Sequence, residues 1–176
     1  IVGIGGTATN DGGIGMIQGA GGKVLDGNGR PVAPGIHGLM EAQKIDLAEI
    51  RRVFRGIQVT AISDVTNPLT GPQGATYVFG PQKGLSLSQL ASVDTAMERY
   101  AKALLESTGK DPLNIPGSGA GGGLGAALWS VFNAELLDGA AFVLEKTGCY
   151  DMIKEADFVI TGEGKVDAQT EKGKAP

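Results

Sequence analysis

The stretch Ile57-Gln-Val-Thr-Ala-Ile-Ser-Asp64 decides how this chain is read. Its β-branched side chains predict a strand over Ile57–Ile62, and that strand ends on a hydroxyl and a carboxylate, Ser63 and Asp64. Toward the N-terminus, Ile1–Ile4 reads as a short apolar strand and Gly12–Ala20 as a helix weakened by glycine. Lys23–Asp26 reads as a strand closed by the turn Asp26-Gly-Asn-Gly29, and 36–56 is ambiguous apart from a short helix near Leu47–Phe54. Toward the C-terminus, Thr70 with Pro72 predicts a short helix running to Phe79. Leu90, Val93, Met97, Tyr100, Ala101, Leu104 and Leu105 then recur at helical spacing. Ser86 and Gln89 make a capping box before that stripe, and Gly109 stands past it as a stop. Ala126–Leu137 and Ala140–Lys146 read as helices, the second closed by Gly148. Asp151–Ala156 is a brief helix and Phe158–Thr161 a strand. Strands alternate with helices without repeat or linker, so the predicted class is mixed α/β (α+β) in a single domain, 1–176.

Composition narrows the function. A net charge of −4 argues against a nucleic-acid partner, which calls for a basic face. No apolar run approaches the roughly 20 residues that span a bilayer, so no membrane partner is expected and a cytoplasmic location is. The one cysteine, Cys149, excludes an internal disulfide and reads as a buried or idle thiol. The one histidine, His37, reads as a loop residue without a ligating neighbour. Glycine is the outlier, 30 of 176 residues against a usual share of about 7%. The glycines cluster beside strands and helices, which points to a site lined by backbone.

Three groups of residues carry possible chemistry. Gly3-Ile-Gly5-Gly-Thr-Ala8 satisfies a dinucleotide fingerprint after a strand, with Asp26 where a ribose-binding acid is sought. The following Thr9-Asn10-Asp11-Gly12-Gly13 interrupts the helix that fingerprint needs. Thr7, Asn10 and Asp11 are read instead as donors and an acceptor for a polar ligand, with an Asx-turn helix cap as the alternative. Pro116-Gly-Ser-Gly-Ala-Gly-Gly-Gly-Leu-Gly125 before a helix predicts an anion site made by Gly117, Ser118, Gly119, Gly121, Gly122 and Gly123. Its alternative is close packing of a helix start. The third group is acidic: Asp64 after one strand, Glu163 and Asp167 after another, with Gln169, Thr170, Lys172 and Lys174 close behind. Carboxylates at strand ends beside a phosphate loop and lysines are the parts of metal-assisted phosphoryl transfer.

Several segments together resemble the bacterial type-1 glycerate kinases. They are Gly5-Gly-Thr-Ala-Thr-Asn-Asp-Gly-Gly13, Asp64-Val-Thr-Asn-Pro-Leu69, Val78-Phe-Gly-Pro-Gln-Lys-Gly84, Gly119-Ala-Gly-Gly-Gly-Leu-Gly125, Ile160-Thr-Gly-Glu-Gly-Lys-Val-Asp-Ala-Gln-Thr170 and Gly173-Lys-Ala-Pro176. The likeness spans nearly the whole chain in consistent order. It implies ATP-dependent phosphorylation of D-glycerate to 2-phosphoglycerate, with Mg²⁺ as cofactor and ATP as co-substrate. It also implies two α/β domains, one inserted into the other, with the active site between them. On that likeness the chain is most of the inserted domain, and its partners are glycerate, ATP and the second domain of the same chain. Its ends are read as cut from a longer protein, so the piece alone is expected to be inactive.

Under this reading Asp64, Asp167 and Glu163 are the catalytic candidates, and Asp64 and Asp167 the metal ligands. Thr7, Asn10, Asp11 and Gln169 with Thr170 orient ligand hydroxyls or carboxylate, and Gly117–Gly123 with Ser118 hold phosphate. Lys83 and Lys174 neutralise charge. Two competing readings remain from the residues: a non-catalytic domain that binds a phosphorylated metabolite, and a dinucleotide-binding oxidoreductase domain. Several acids beside the glycine loop favour the kinase, because a plain anion binder gains nothing from carboxylates near its phosphate.

Overall fold

The computed structural model describes residues 1–162. In chain order it runs β1 (Val2–Gly3), α1 (Ile14–Gly19), β2 (Lys23–Leu25), α2 (Ile36–Glu41), β3 (Lys44–Asp46), α3 (Ala48–Val53) and β4 (Thr60–Ser63). It continues with α4 (Ala75–Phe79), a 3₁₀ turn (Pro81–Lys83), α5 (Leu87–Thr108), α6 (Ala120–Val131), β5 (Glu135–Asp138), α7 (Gly139–Lys146) and α8 (Cys149–Glu155). The mixed α/β class expected from the sequence is therefore observed.

The long helix α5 follows its sequence signals closely. The Ser86–Gln89 capping box forms at its start, and Gly109 ends it with φ 75°, a left-handed stop that glycine adopts without a Cβ clash. Leu90, Val93, Met97, Tyr100, Ala101 and Leu104 are buried along one stripe, while Leu105, at its margin, is 39% exposed. This stripe packs with Ile14, Ile17, Leu39, Ile50 and Ala126 into the main core, around the antiparallel pair β2–β3. The ambiguous stretch 36–56 resolves into α2, β3 and α3, and His37 lies in helix α2 rather than a loop.

A second sheet is wholly parallel, in the order β1-β4-β5, with Val2 opposite Ala61 and Ser63 opposite Asp138. Ala61 and its register partner Leu136 join Ile4, Ala120 and Leu128 in a smaller core beneath α6. Ile62 points to the other face by the period-two alternation of a strand, toward α7.

Three expectations need correction. Ala126–Leu137 is not one helix: α6 ends at Val131, Asn133 turns the chain at φ 55°, and Glu135–Asp138 forms β5. A four-residue strand carries too few alternations to be told from helix, and pairing with β4 decides it. Thr70 caps no helix, because α4 starts after Gly74; a Cβ at Gly74 would lie 2.4 Å from the Thr70 carbonyl carbon. Phe158–Thr161 pairs with no strand among the described residues, and Phe158 and Ile160 are 89% and 97% exposed.

Candidate functional site

A parallel sheet brings all its strand C-termini to one edge, where loops converge and ligands gather in open α/β folds. Here the loop after β1 supplies Gly5, Gly6 and Thr7, the end of β4 supplies Ser63 and Asp64, and the end of β5 supplies Asp138 and Gly139. Asp138 is spent locally: its carboxylate accepts from the Ala141 N–H and caps α7. Asp64 stays exposed at the rim. A Cβ on Gly139 would stand 2.7 Å from the Asp64 Oδ1, so α7 begins as near that carboxylate as glycine allows.

Thr7, Asp64, Lys83 and Gly121 line one cleft of about 240 Å³, together with Phe79 and Gln82. Lys83 is pinned across it. Its ammonium donates to the Thr9 carbonyl at 2.8 Å and approaches the Thr7 hydroxyl at 3.4 Å. Burial lowers the Lys83 pKa from its ordinary value, and the nearby Asp11 carboxylate opposes that shift. A cation held at a cleft wall by a backbone carbonyl meets a phosphate or carboxylate with less ordering left to do.

Other predicted residues lie beneath this surface. Asp11 is buried and accepts from the Gly13 and Gly15 N–H groups at 3.0 and 3.3 Å, the Asx-turn arrangement at the start of α1. Asn10 is buried too; its side-chain amide donates to the Thr76 hydroxyl, while its Oδ1 finds no partner among the described residues. Ser118 is fully buried, and its hydroxyl has no partner among the described residues.

The glycine run shows why so many were needed. Gly121, Gly122 and Gly123 have φ of 61°, 68° and 95°, a left-handed kink in the first turn of α6. A Cβ on Gly122 would sit 2.0 Å from the Thr9 carbonyl oxygen, and one on Gly123 2.6 Å from the Gly12 Cα. Gly12 in turn donates its N–H to the Gly122 carbonyl at 2.9 Å. The N–H of Gly119 is taken by the Asn67 carbonyl and that of Gly123 by the Gly119 carbonyl. Gly117 is buried and turns the chain at φ 82°, where an added Cβ would stand 3.5 Å from the Val65 carbonyl oxygen. Close backbone crossing, the packing alternative, is thus what the geometry displays at Gly119, Gly122 and Gly123, with Gly121 alone of the kink reaching the cleft.

The dinucleotide fingerprint is overturned by the same loop. After Gly5-Gly6 no helix begins until Ile14, and Asp26 is occupied by the N–H groups of Asn28 and Arg30, both at 2.8 Å. Glu163, Asp167, Gln169, Thr170 and Lys174 lie outside the described residues. Two wall residues, Phe79 and Gln82, were not singled out by type, although they stand in the Val78–Gly84 segment that carried the family likeness. The helix α7 is legible as Ala140–Lys146, but its place beside Asp64 is not, because Glu135–Asp138, the strand that aims it, reads as helix.

Among the described residues no group of three or more His, Cys, Asp or Glu side chains is arranged to hold a metal, and no helix is long and apolar enough to cross a membrane. A single rim carboxylate such as Asp64 fits the way Mg²⁺ is bound beside phosphates, by one or two acids with water and phosphate oxygens completing the shell.

The family model described as the glycerate kinase family matches residues 1–176. The glycerate kinase of Halalkalibacterium halodurans is 43% identical over 176 residues, all of this chain and 46% of that protein. The glycerate 2-kinase of Escherichia coli (strain K12) is 40% identical over the same length, again 46% of that protein. In solved form, a glycerate kinase 2 from Salmonella typhimurium LT2 matches with a TM-score of 0.83 at 42% identity, over 98% of this chain and 46% of its own. The chain spans just under half the length of the relatives it matches. With a match along its whole length and a shared fold at such identity, this chain belongs to the glycerate kinase family.

Proposed function

We propose that this chain forms one wall of the active cleft of an ATP-dependent kinase that converts D-glycerate to 2-phosphoglycerate, as the inserted domain of a longer two-domain protein. The observation that carries the reading is the convergence of Asp64, Lys83 and Thr7 on one cleft at the carboxyl edge of the parallel sheet. In the reaction a glycerate hydroxyl oxygen forms a bond to the γ-phosphorus of ATP, the bridging P–O bond breaks, and ADP leaves. The hydroxyl proton passes to a carboxylate. Asp64, which lines the cleft, is the residue assigned here to take it or to hold Mg²⁺ in company with Asp167, and Glu163 is the further acid assigned by family likeness. Mg²⁺, when bound, supplies positive charge against the phosphate oxygens.

Phosphoryl transfer asks little covalent chemistry of a protein and much positioning. Lys83 answers negative charge on the transferring group, and its tether to the Thr9 carbonyl keeps it from retreating to solvent. The Thr7 hydroxyl sits beside it to orient a phosphate or carboxylate oxygen. Asn10 and Asp11 support the loop that carries Thr7, and Gln169, Thr170 and Lys174 are assigned to ligand binding by family likeness.

Asp64→Asn in the full-length parent tests this. Loss of a general base costs about 10²–10⁴ in rate, so turnover should fall by that factor. The melting temperature should hardly move, because Asp64 is exposed. Near-normal turnover would remove Asp64 from the mechanism and pass its role to Glu163 or Asp167.

A further inference from the structure

A second cleft opens on the far side of Asp64. It is about 420 Å³ and lies between the α7-facing side of the sheet and α7 itself. Its floor includes Gly3 and Gly5, where an added Cβ would meet nothing within 4 Å, so bare backbone faces open space. Its sides are Ile62, Ala140, Val143 and Leu144. Gly5, Ser63 and Asp64 line both this slot and the polar cleft that holds Lys83 and Thr7. The two clefts therefore form one continuous surface, apolar at one end and cationic at the other, with Asp64 at the junction.

We propose that the apolar slot seats the base of the nucleotide, an inference that rests on the kinase reading above. A ligand that fills both clefts must have a flat apolar end and an anionic end. Of the two substrates in the proposed reaction only ATP has that form. Every carbon of glycerate carries either a hydroxyl or the carboxylate oxygens, so it has no apolar part to bury. Glycine in the floor lets a planar ring approach the backbone closely, and aliphatic side chains cover its other face, the usual make-up of a small-molecule pocket. The order of the walls also sets a direction. The base lies against α7, the phosphate chain crosses Asp64, where a Mg²⁺ ion would relieve the like charge, and the terminal phosphoryl group points toward Lys83 and Thr7.

The experiment narrows the slot in the full-length parent. Ala140→Leu adds bulk to the wall, and Val143→Phe does so at a position 49% exposed, where folding tolerates size. A change of one or a few methylenes in an apolar pocket shifts recognition by about 10-fold or more. ATP KM should rise by at least that factor in both variants. Glycerate KM, and the calorimetric affinity for inorganic triphosphate, which has no base, should stay near the parent values. Melting temperatures are recorded alongside, and Val143→Phe carries the test if Ala140→Leu does not fold. A parent that phosphorylates glycerate normally while both variants keep its ATP KM overturns the inference and leaves the kinase reading intact. Variants that melt earlier with ATP KM unmoved also overturn it, showing the slot to be filled by another part of the parent chain. A parent that binds no ATP overturns both readings together.

Discussion

The half of the molecule around α5 and the half that carries α7 and α8 are packed to different standards. Tyr100, Met97 and Leu104 are completely buried, and the loop Thr9–Gly13 is pressed against the α6 kink with no room for a methyl group at Gly122. In α7 and α8 no residue is buried, and Met152 and Tyr150 are 60% and 44% exposed. The candidate site lies on the seam. Its Lys83–Thr7 wall belongs to the tightly packed half, and its Asp64–Gly139 wall to the loosely packed one. Changes on the first wall should therefore damage fold and function together, and changes on the second function alone.

The strongest attempt to break that contrast is Gly122→Val. A left-handed φ and a carbonyl 2.0 Å from the new Cβ both oppose it. The expected loss of stability is about 4 kcal/mol or more, at the diagnostic end of point mutations. Denaturant unfolding followed by circular dichroism measures it. A variant that unfolds like the parent but fails to bind nucleotide would instead restore the anion-cradle role once expected of this run.

Truncating one large side chain from each half sharpens the comparison. Tyr100→Ala empties a fully buried aromatic site and should cost about 3–5 kcal/mol. Met152→Ala, on the exposed surface of α8, should stay within about 0.5 kcal/mol of the parent. Similar midpoints for the two variants in urea would end the claim that the halves differ.

The smallest effect is a dependence on pH within the tight half. Asp94 is buried on α5, and its pKa is raised above the ordinary 3.8, chiefly by desolvation; the Gly71 N–H opposes the shift and Glu98 adds to it. A carboxyl whose folded pKa is raised binds its proton more tightly in the native state. Its contribution to stability is then full below the ordinary value and is lost as pH rises through the raised one. Asp94→Asn should flatten that decline. At neutral pH it should change stability by no more than about 1.5 kcal/mol, since the amide oxygen can still accept from Gly71. Melting curves across the acidic range decide it, and an unchanged slope would show that Asp94 titrates normally.

Much of the fold was legible wherever the signal is local. The bounds of α5 follow from Ser86, Gln89, Gly109 and the apolar stripe, because capping and amphipathicity act within a few residues. The end of β4 at Ser63 was legible for a similar reason, since a β-branched run closing on Ser-Asp announces a strand end, although pairing begins only at Thr60 and leaves residues 57–59 of the expected strand outside it. Other features were hidden. Glu135–Asp138 takes its conformation from pairing with Thr60–Ser63, more than a helix-length away in the chain. Asp11 reads from sequence as a ligand group with a turn cap as the alternative, and only the tertiary structure shows its carboxylate accepting from the Gly13 and Gly15 N–H groups.

By itself the sequence determined the class of the fold, the long helix and the family likeness. Tertiary structure alone decided which distant segments meet. It pressed Gly119, Gly122 and Gly123 into a backbone crossing, brought Lys83 to the Thr9 carbonyl, and joined the two clefts at Asp64. The physical reason is range. Caps, turns and periodicity are written in neighbouring residues, whereas closeness of backbone to backbone, or of a lysine to a carbonyl, depends on where distant segments come to rest.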